Sequence, residues 1–171
     1  LYAMHAVVIA LNTRTAPAKD AIRQSLAALR WLQARGAQQI YFKYRATFNS
    51  TNRGNFGPVA DALLDAMGED FTIFCPSFPG AGRTVFQGHL FVGKQLLSGS
   101  FMRTHPATPM KQSNLIKVLG RQTKHHVDLV PHEIVTLGPK AIRNQMKRLR
   151  EAGTRFAIVD AVTTRHLVDI G

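Results

Sequence analysis

Residues 6–44 read AVVIALNTRTAPAKDAIRQSLAALRWLQARGAQQIYFKY. The opening run, Ala6 to Leu11, is continuously apolar, as in a strand buried on both faces, and Asn12 to Pro17 close it with turn and cap chemistry. From Pro17 to about Arg35, Ile22, Leu26 and Leu29 recur at helical spacing. Pro17 suits a first helical turn, and Gly36 sits where a left-handed residue ends a helix. Gln39 to Tyr44 then predicts a second strand. Strand, helix, strand in such close succession is the pattern of a parallel crossover unit.

The alternation continues downstream. A polar loop, Arg45 to Gly57, leads into a helix from Pro58 to Met67 with Gly68 as its stop, and Phe71 to Cys75 is a third apolar run. Thr84 to Val92, interrupted at Gln87-Gly88, reads as a β-hairpin or a bulged strand inserted in the pattern. Ser113 is placed to cap a helix carrying Leu115, Ile116 and Leu119. Val127 to Val130 reads as a short strand, Pro139 to Ala152 as an amphipathic helix, and Arg155 to Asp160 as a last strand before a stub capped by Thr163 or Thr164. The whole predicts an α/β fold with a mainly parallel sheet, helices on both faces and a β-hairpin insertion.

The chain has 171 residues, 45% of them apolar, which suits one globular domain with a real core. No apolar run approaches the roughly 18–20 residues of a membrane span. The single cysteine, Cys75, has no internal disulfide partner, and with no basic leader before an apolar segment the expected location is the cytoplasm. Leu1 to His5 read as a chain entered partway through. Net charge is +12, which favours an anionic partner without choosing between a phosphorylated or carboxylated metabolite and nucleic acid. Residues 102–150 hold ten Lys and Arg against Asp128 and Glu133, so this stretch alone carries +8. No nucleic-acid motif accompanies it, and a solvated basic helix face is the commoner meaning.

In such sheets ligands bind beyond the carboxyl ends of the strands, which directs attention to the loops after Leu11, Tyr44, Cys75 and Asp160; the candidate side chains themselves fall in three segments. The first runs from Lys43 through Arg45, Asn49, Ser50, Thr51, Arg53 and Asn55 to Gly57. It offers cations, hydroxyls and amides ahead of a helix N-terminus, where free N–H groups favour an anion. The same residue types also build ordinary turns and caps, and the spacing is not that of a Walker loop. The second, Cys75 to Thr84, is a Pro/Gly loop holding Arg83, shaped for two-point contact with a carboxylate or simply solvated. The third, Met102 to Leu115, offers His105 as an acid, base or donor, with Gln112, Ser113 and Asn114 able to read hydroxyls or to build a stiff loop and helix cap. Arg14, after the first strand, adds another anion contact. No catalytic residue is assigned and no metal site is expected: His125 and His126 are adjacent and no carboxylate or cysteine lies at ligand spacing.

These segments, in this order, resemble the four-carbon acid sugar kinase family, the 3-oxo-tetronate kinases, in their N-terminal sugar-binding domain. The family pattern Phe-Lys-Tyr-Cys-Ser-Thr-Phe-Asp-Ser-Thr-x-x-Gly-Asn-Ile-Gly-Pro is similar to Phe42 to Pro58. Cys75-Pro76, with Gly82-Arg83-Thr84 through Gly93, resembles its proline-rich loop and hairpin. Met102-Arg103, His105-Pro106, Thr108-Pro109-Met110 and Ser113-Asn114-Leu115 resemble its next signature. The resemblance runs from about Ala6 to Ile170 and implies that residues 1–171 are part of a domain binding a four-carbon sugar acid. It further implies ATP and Mg2+ on a separate C-terminal nucleotide-binding domain and transfer of phosphate to the terminal hydroxyl. By motif position, Arg14, Lys43, Ser50, Thr51, Asn55, Arg83, His105, Ser113 and Asn114 stand around the sugar acid. Ala46 stands where the family has Ser, Asn49 where it has Asp, Ala81 where Asn is usual and Gln112 where Asp is usual. Two lost carboxylates remove groups able to accept a hydroxyl proton or hold magnesium, so a non-catalytic anion-binding module is the alternative expectation. Nothing in the chain matches the family's first strand and acidic loop; apolar sheet surface left uncovered there predicts self-association unless a partner covers it.

Overall fold

The computed structural model describes residues 5–48, 54–106 and 108–171. At its centre lies a parallel sheet of three strands in the order β1 (Thr72–Phe74), β6 (Thr154–Val159), β5 (His126–Val130). Ile73 and Asp128 both pair with Ala157, so β6 is the middle strand. It reads as an apolar run because both of its faces are covered. Phe156 and Ile158 point to one side, among Leu64 of α2 (Phe56–Met67) and Leu115 and Leu119 of α3 (Leu115–Gly120). Ala157 and Val159 point to the other, with Val135 of α4 (His132–Val135) and Ile142 and Leu149 of α5 (Pro139–Glu151).

The Gln87-Gly88 interruption is a hairpin turn, not a bulge. β2 (Arg83–Phe86) and β3 (His89–Val92) pair antiparallel, with β4 (Gln95–Leu96) added outside β3. Gln87 and Gly88 both have positive φ, 49° and 69°, the conformation whose twist matches the flanking strands. Val85 bridges Ala161, which seats the hairpin just past the carboxyl end of β6. α6 (Thr164–Ile170) starts at Thr163, whose hydroxyl accepts from the His166 N–H.

Helix α1 (Ala18–Gln33) matches its expected span and packs Ala21 and Leu29 against Val59 and Leu63 of α2. The runs flanking it depart from expectation. Neither Ala6 to Leu11 nor Gln39 to Tyr44 forms a strand. Among the described residues neither has a ladder partner, and apolarity alone does not satisfy a strand's backbone N–H and C=O groups. Residues 39–44 nonetheless keep the alternation of a strand: Ile40, Phe42 and Tyr44 pack on the helices or the core, while Tyr41 is 80% exposed. Val8 is 91% exposed, and an open apolar groove runs between Val7, Val8 and the Ala27, Ala28 and Trp31 side of α1.

At the opposite end of the sheet from the hairpin, Arg155 ties β6 to α2. Its Nε lies 3.2 Å from Asp61 Oδ1, its Nη2 meets Asp65, and Thr123 donates to Asp61 at 2.8 Å. The Arg155 side chain is only 13% exposed, so losing it takes the arginine from a poorly hydrated carboxylate whose other described partners are the Thr123 hydroxyl and His125 Nε2, 3.6 Å away. Arg155→Ala is expected to lower stability by about 2–3 kcal/mol, below the full cost of breaking a wholly buried pair because Asp61 keeps some solvent. The midpoint of urea unfolding measures it.

Candidate functional site

The three loop segments meet. The Tyr44 hydroxyl accepts from the Cys75 N–H at 2.8 Å, joining the first to the second. The Leu90 N–H donates to the Ser113 carbonyl at 2.9 Å, and Leu115 N–H donates to the Gly88 carbonyl at 2.8 Å, laying the third along the hairpin. The Tyr44 ring sits 5.1 Å from Phe74 and 5.6 Å from Phe48, so the start of the first segment is anchored in the core by aromatic packing. Burial drives the Tyr44 phenol pKa far upward and pushes the Cys75 thiol up to about 11. Cys75 is therefore a neutral thiol at neutral pH, not an activated nucleophile.

Helix α2 begins at Phe56, two residues before the expected start at Pro58. Its first turn is less open than a helix N-terminus usually is: the Gly57 N–H donates to Gln122 Oε1 at 3.1 Å, and Pro58 has no N–H to offer. The expected cradle of free backbone donors is thus reduced by a side-chain cap. Gly57 is there because Gln122 lies so close; a Cβ at this position would stand 2.7 Å from Gln122 Cβ and 2.9 Å from its carbonyl oxygen.

The candidate residues divide by what they touch. Asn55 is buried and donates to the carbonyls of Thr13 at 2.7 Å and Ala16 at 3.0 Å, clamping the turn that carries Arg14. Ser113 is buried and bonded to Ser98 through both Oγ and the Ser98 N–H. That removes it as the cap of α3; Asn114 does the capping, accepting from the Lys117 N–H at 2.9 Å. Gln112 Oε1 accepts from the Asn114 N–H at 2.9 Å, and His105 Nδ1 accepts from the Thr108 N–H at 3.1 Å. Arg83 donates to the Ala81 carbonyl, and exposed Lys43 to the Tyr44 carbonyl at 3.2 Å. Arg14 differs: its Nε and Nη2 are buried and have no hydrogen-bond partner among the described residues. Asn49, Ser50, Thr51 and Arg53 lie outside the described residues.

Two residues absent from the sequence-based set belong here. His89 follows the hairpin turn, with Nδ1 2.7 Å from the Gln87 carbonyl and Nε2 3.4 Å from Asn114 Nδ2. Asp160, at the end of β6, is fully buried and accepts from the N–H groups of Gln87 at 2.7 Å, Gly88 at 2.9 Å and His132 at 2.9 Å. Burial pushes its carboxyl above the ordinary 3.8, against the pull of those three donors. An acid directly after an apolar strand was the available signal. What the sequence withheld was that its partners lie 28 to 73 positions away.

Comparison with known proteins places this arrangement. The family described as a sugar-binding N-terminal domain matches residues 2–171. A 3-oxo-tetronate kinase of Burkholderia multivorans is 53% identical over 97% of the chain, which spans 39% of that relative's length. The crystal structure of a Haemophilus influenzae protein superposes with TM-score 0.93 at 46% identity, over 95% of this chain and 40% of that one. A Bordetella bronchiseptica structure, a domain-swapped dimer with bound citrate, aligns with TM-score 0.71 at 27% identity, over 93% of this chain and 36% of that one.

Gly57→Ala is expected to push Gln122 backbone away from α2 and cost about 1–3 kcal/mol, as overpacking does, read from the urea midpoint. Asp160→Asn puts an amide N–H2 against backbone donors and is expected to cost about 2–4 kcal/mol. The folded chain holds the Asp160 proton more tightly than the unfolded one does. That contribution is full below the ordinary 3.8 and is lost as pH rises through the raised value. Urea titrations from pH 4 upward should therefore show the gap between wild type and Asp160→Asn narrowing.

Proposed function

The chain belongs to the sugar-binding N-terminal domain family, and from that premise we propose that it is the part of a 3-oxo-tetronate kinase that binds the four-carbon sugar acid. The observation that carries this reading is the 53% identity to a 3-oxo-tetronate kinase across 97% of the chain. The geometry supports it: Arg14, Lys43, Arg83 and the 112–114 segment belong to loops linked to one another around the hairpin and the start of α2. Cations hold the carboxylate and hydroxyl and amide groups fix the hydroxyls. The Bordetella relative's structure contains bound citrate.

Among the described residues no three His, Cys, Asp or Glu side chains converge, and the loops lack the Walker spacing. ATP and Mg2+ belong, on this proposal, to a nucleotide-binding domain in the portion of the relatives, about 60% of their length, that this chain does not span. In the complete enzyme the terminal hydroxyl of the acid would take the phosphoryl group. Among the described residues no helix is long and apolar enough to cross a membrane; the cytoplasm is the proposed setting. The uncovered groove beside Val8 and Trp31 is the surface through which self-association, or docking of the remaining enzyme, would occur.

A second reading, a non-catalytic sugar-acid-binding module, is favoured by one observation. Gln112, where the family usually has Asp, has its side-chain oxygen engaged by the Asn114 N–H, and its amide cannot accept a hydroxyl proton as a carboxylate can.

Calorimetric titration of this chain with erythronate, threonate and their 3-oxo forms tests the sugar-acid reading. Saturable binding is expected, weakened about three- to tenfold by Lys43→Ala and by Arg83→Ala as charge-assisted contacts are lost. A folded chain that binds none of the four would overturn it.

A further inference from the structure

Val162 follows the carboxyl end of β6, and its N–H belongs to the same planar peptide group as the Ala161 carbonyl. That carbonyl accepts twice, from the Val85 N–H at 2.9 Å and from the Ser77 hydroxyl at 2.7 Å, and the Ala161 N–H donates back to the Val85 carbonyl at 3.0 Å. One peptide plane therefore seats the hairpin and holds the proline-rich loop that carries Ser77. Its other edge, the Val162 N–H, donates to Nδ1 of His166 in α6 at 3.3 Å. Rotation of the plane would turn the carbonyl away from both of its donors, and the His166 bond opposes that rotation.

An imidazole nitrogen accepts a hydrogen bond only while it carries no proton. Protonation at Nδ1 sets one N–H against another, and the bond is lost. The surroundings of the ring offer a cation little in return. His166 lies in the first turn of α6, the positive end of a helix. Its ring partner is His132, the first residue of α4, 5.2 Å away between centroids and itself packed edge-on against Phe86. The charged groups on the neighbouring elements are otherwise engaged. Arg165 and Asp169 of α6 pair with each other at 3.0 Å, and Glu133 of α4 accepts from the Gln87 side chain. Asp160, at the end of β6, takes three backbone N–H groups, one of them from His132. α5 shares an apolar cluster with α6 through Ile142, Met146 and Ile170, and its cations are exposed. Among the described residues no carboxylate forms an ion pair with His166.

We propose that the Val162–His166 bond is an acid-sensitive latch: protonation of His166 frees the peptide plane between Ala161 and Val162 and loosens the hairpin and the proline-rich loop from the end of the sheet. The latch needs no ligand, so it stands or falls independently of the sugar-acid reading.

The test is amide hydrogen exchange of wild type and His166→Asn, with the histidine C2–H signals followed by NMR over the same pH range. An asparagine Oδ1 stands close to where Nδ1 does and accepts at every pH. In wild type the protection factors of Val85, Ala161 and Val162 are expected to fall about five- to tenfold between about pH 7.5 and 5.5, the worth of one net hydrogen bond. In His166→Asn they should stay within about twofold over that range. The fall should follow the titration of the His166 ring and not that of His132. Asp160 is present in both proteins, so its own titration drops out of the comparison. Protection that holds constant in wild type, that falls equally in His166→Asn, or that tracks another histidine would overturn the proposal. If His166→Asn does not fold, the wild-type midpoints of amide protection and His166 titration decide by themselves, coincidence supporting the latch and separation overturning it.

Discussion

A single carboxylate at the end of the central strand organises the end of the sheet where the candidate site lies. Asp160 is sealed from solvent and receives three backbone N–H groups, two from the hairpin turn and one from the first residue of α4. Each of those donors would otherwise be an unsatisfied group in the interior. Because the turn is fixed at Gln87 and Gly88, β3 emerges in register with the 112–114 segment, and the Ser113 and Gly88 carbonyls find their partners at Leu90 and Leu115. The hairpin, α4 and the third loop are thus placed by one acid that makes no ion pair among the described residues. Desolvation and hydrogen bonding pull its proton affinity in opposite directions, and desolvation wins.

The fold was legible where a segment's neighbours are adjacent in sequence or its periodicity is long. α1 and α5 showed their apolar stripes over whole turns, and β6 announced itself by continuous apolarity, because a middle parallel strand is covered on both faces. The runs at 6–11 and 39–44 carried a similar signal and formed no ladder. Apolarity reports a demand for burial, whereas a strand also needs a backbone beside it, and that neighbour is a fact of tertiary structure. Ile40 and Phe42 answered the demand for burial by packing on α1 and α2 with no sheet involved.

The site was legible at the level of segments and less so at the level of side chains. Three loops were singled out and three loops converge, yet several polar residues in them serve the architecture. Asn55 clamps the Arg14 turn, Ser113 is locked to Ser98, and Asn114 caps α3 while Gln112 holds Asn114. Residue type cannot separate these roles, since an amide that would read a hydroxyl reads a backbone carbonyl by the same chemistry. The loop after Asp160 was marked by the strand before it, but neither the role of Asp160 nor that of His89 was, because their partners are distant in sequence.

The charge of +12 was the most conspicuous bulk property of the sequence, and its distribution says more about solvation than about binding. Much of the excess lies on α5, where Lys140, Arg143, Lys147, Arg148 and Arg150 are all exposed and two of them pair with acids at the surface. Water solvates such charges, and salt screens them, so their number creates no pocket. A guanidinium edge withdrawn from water has neither recourse. Its energy depends on what sits beside it, which is the difference between a charge that water answers and one that the fold must answer.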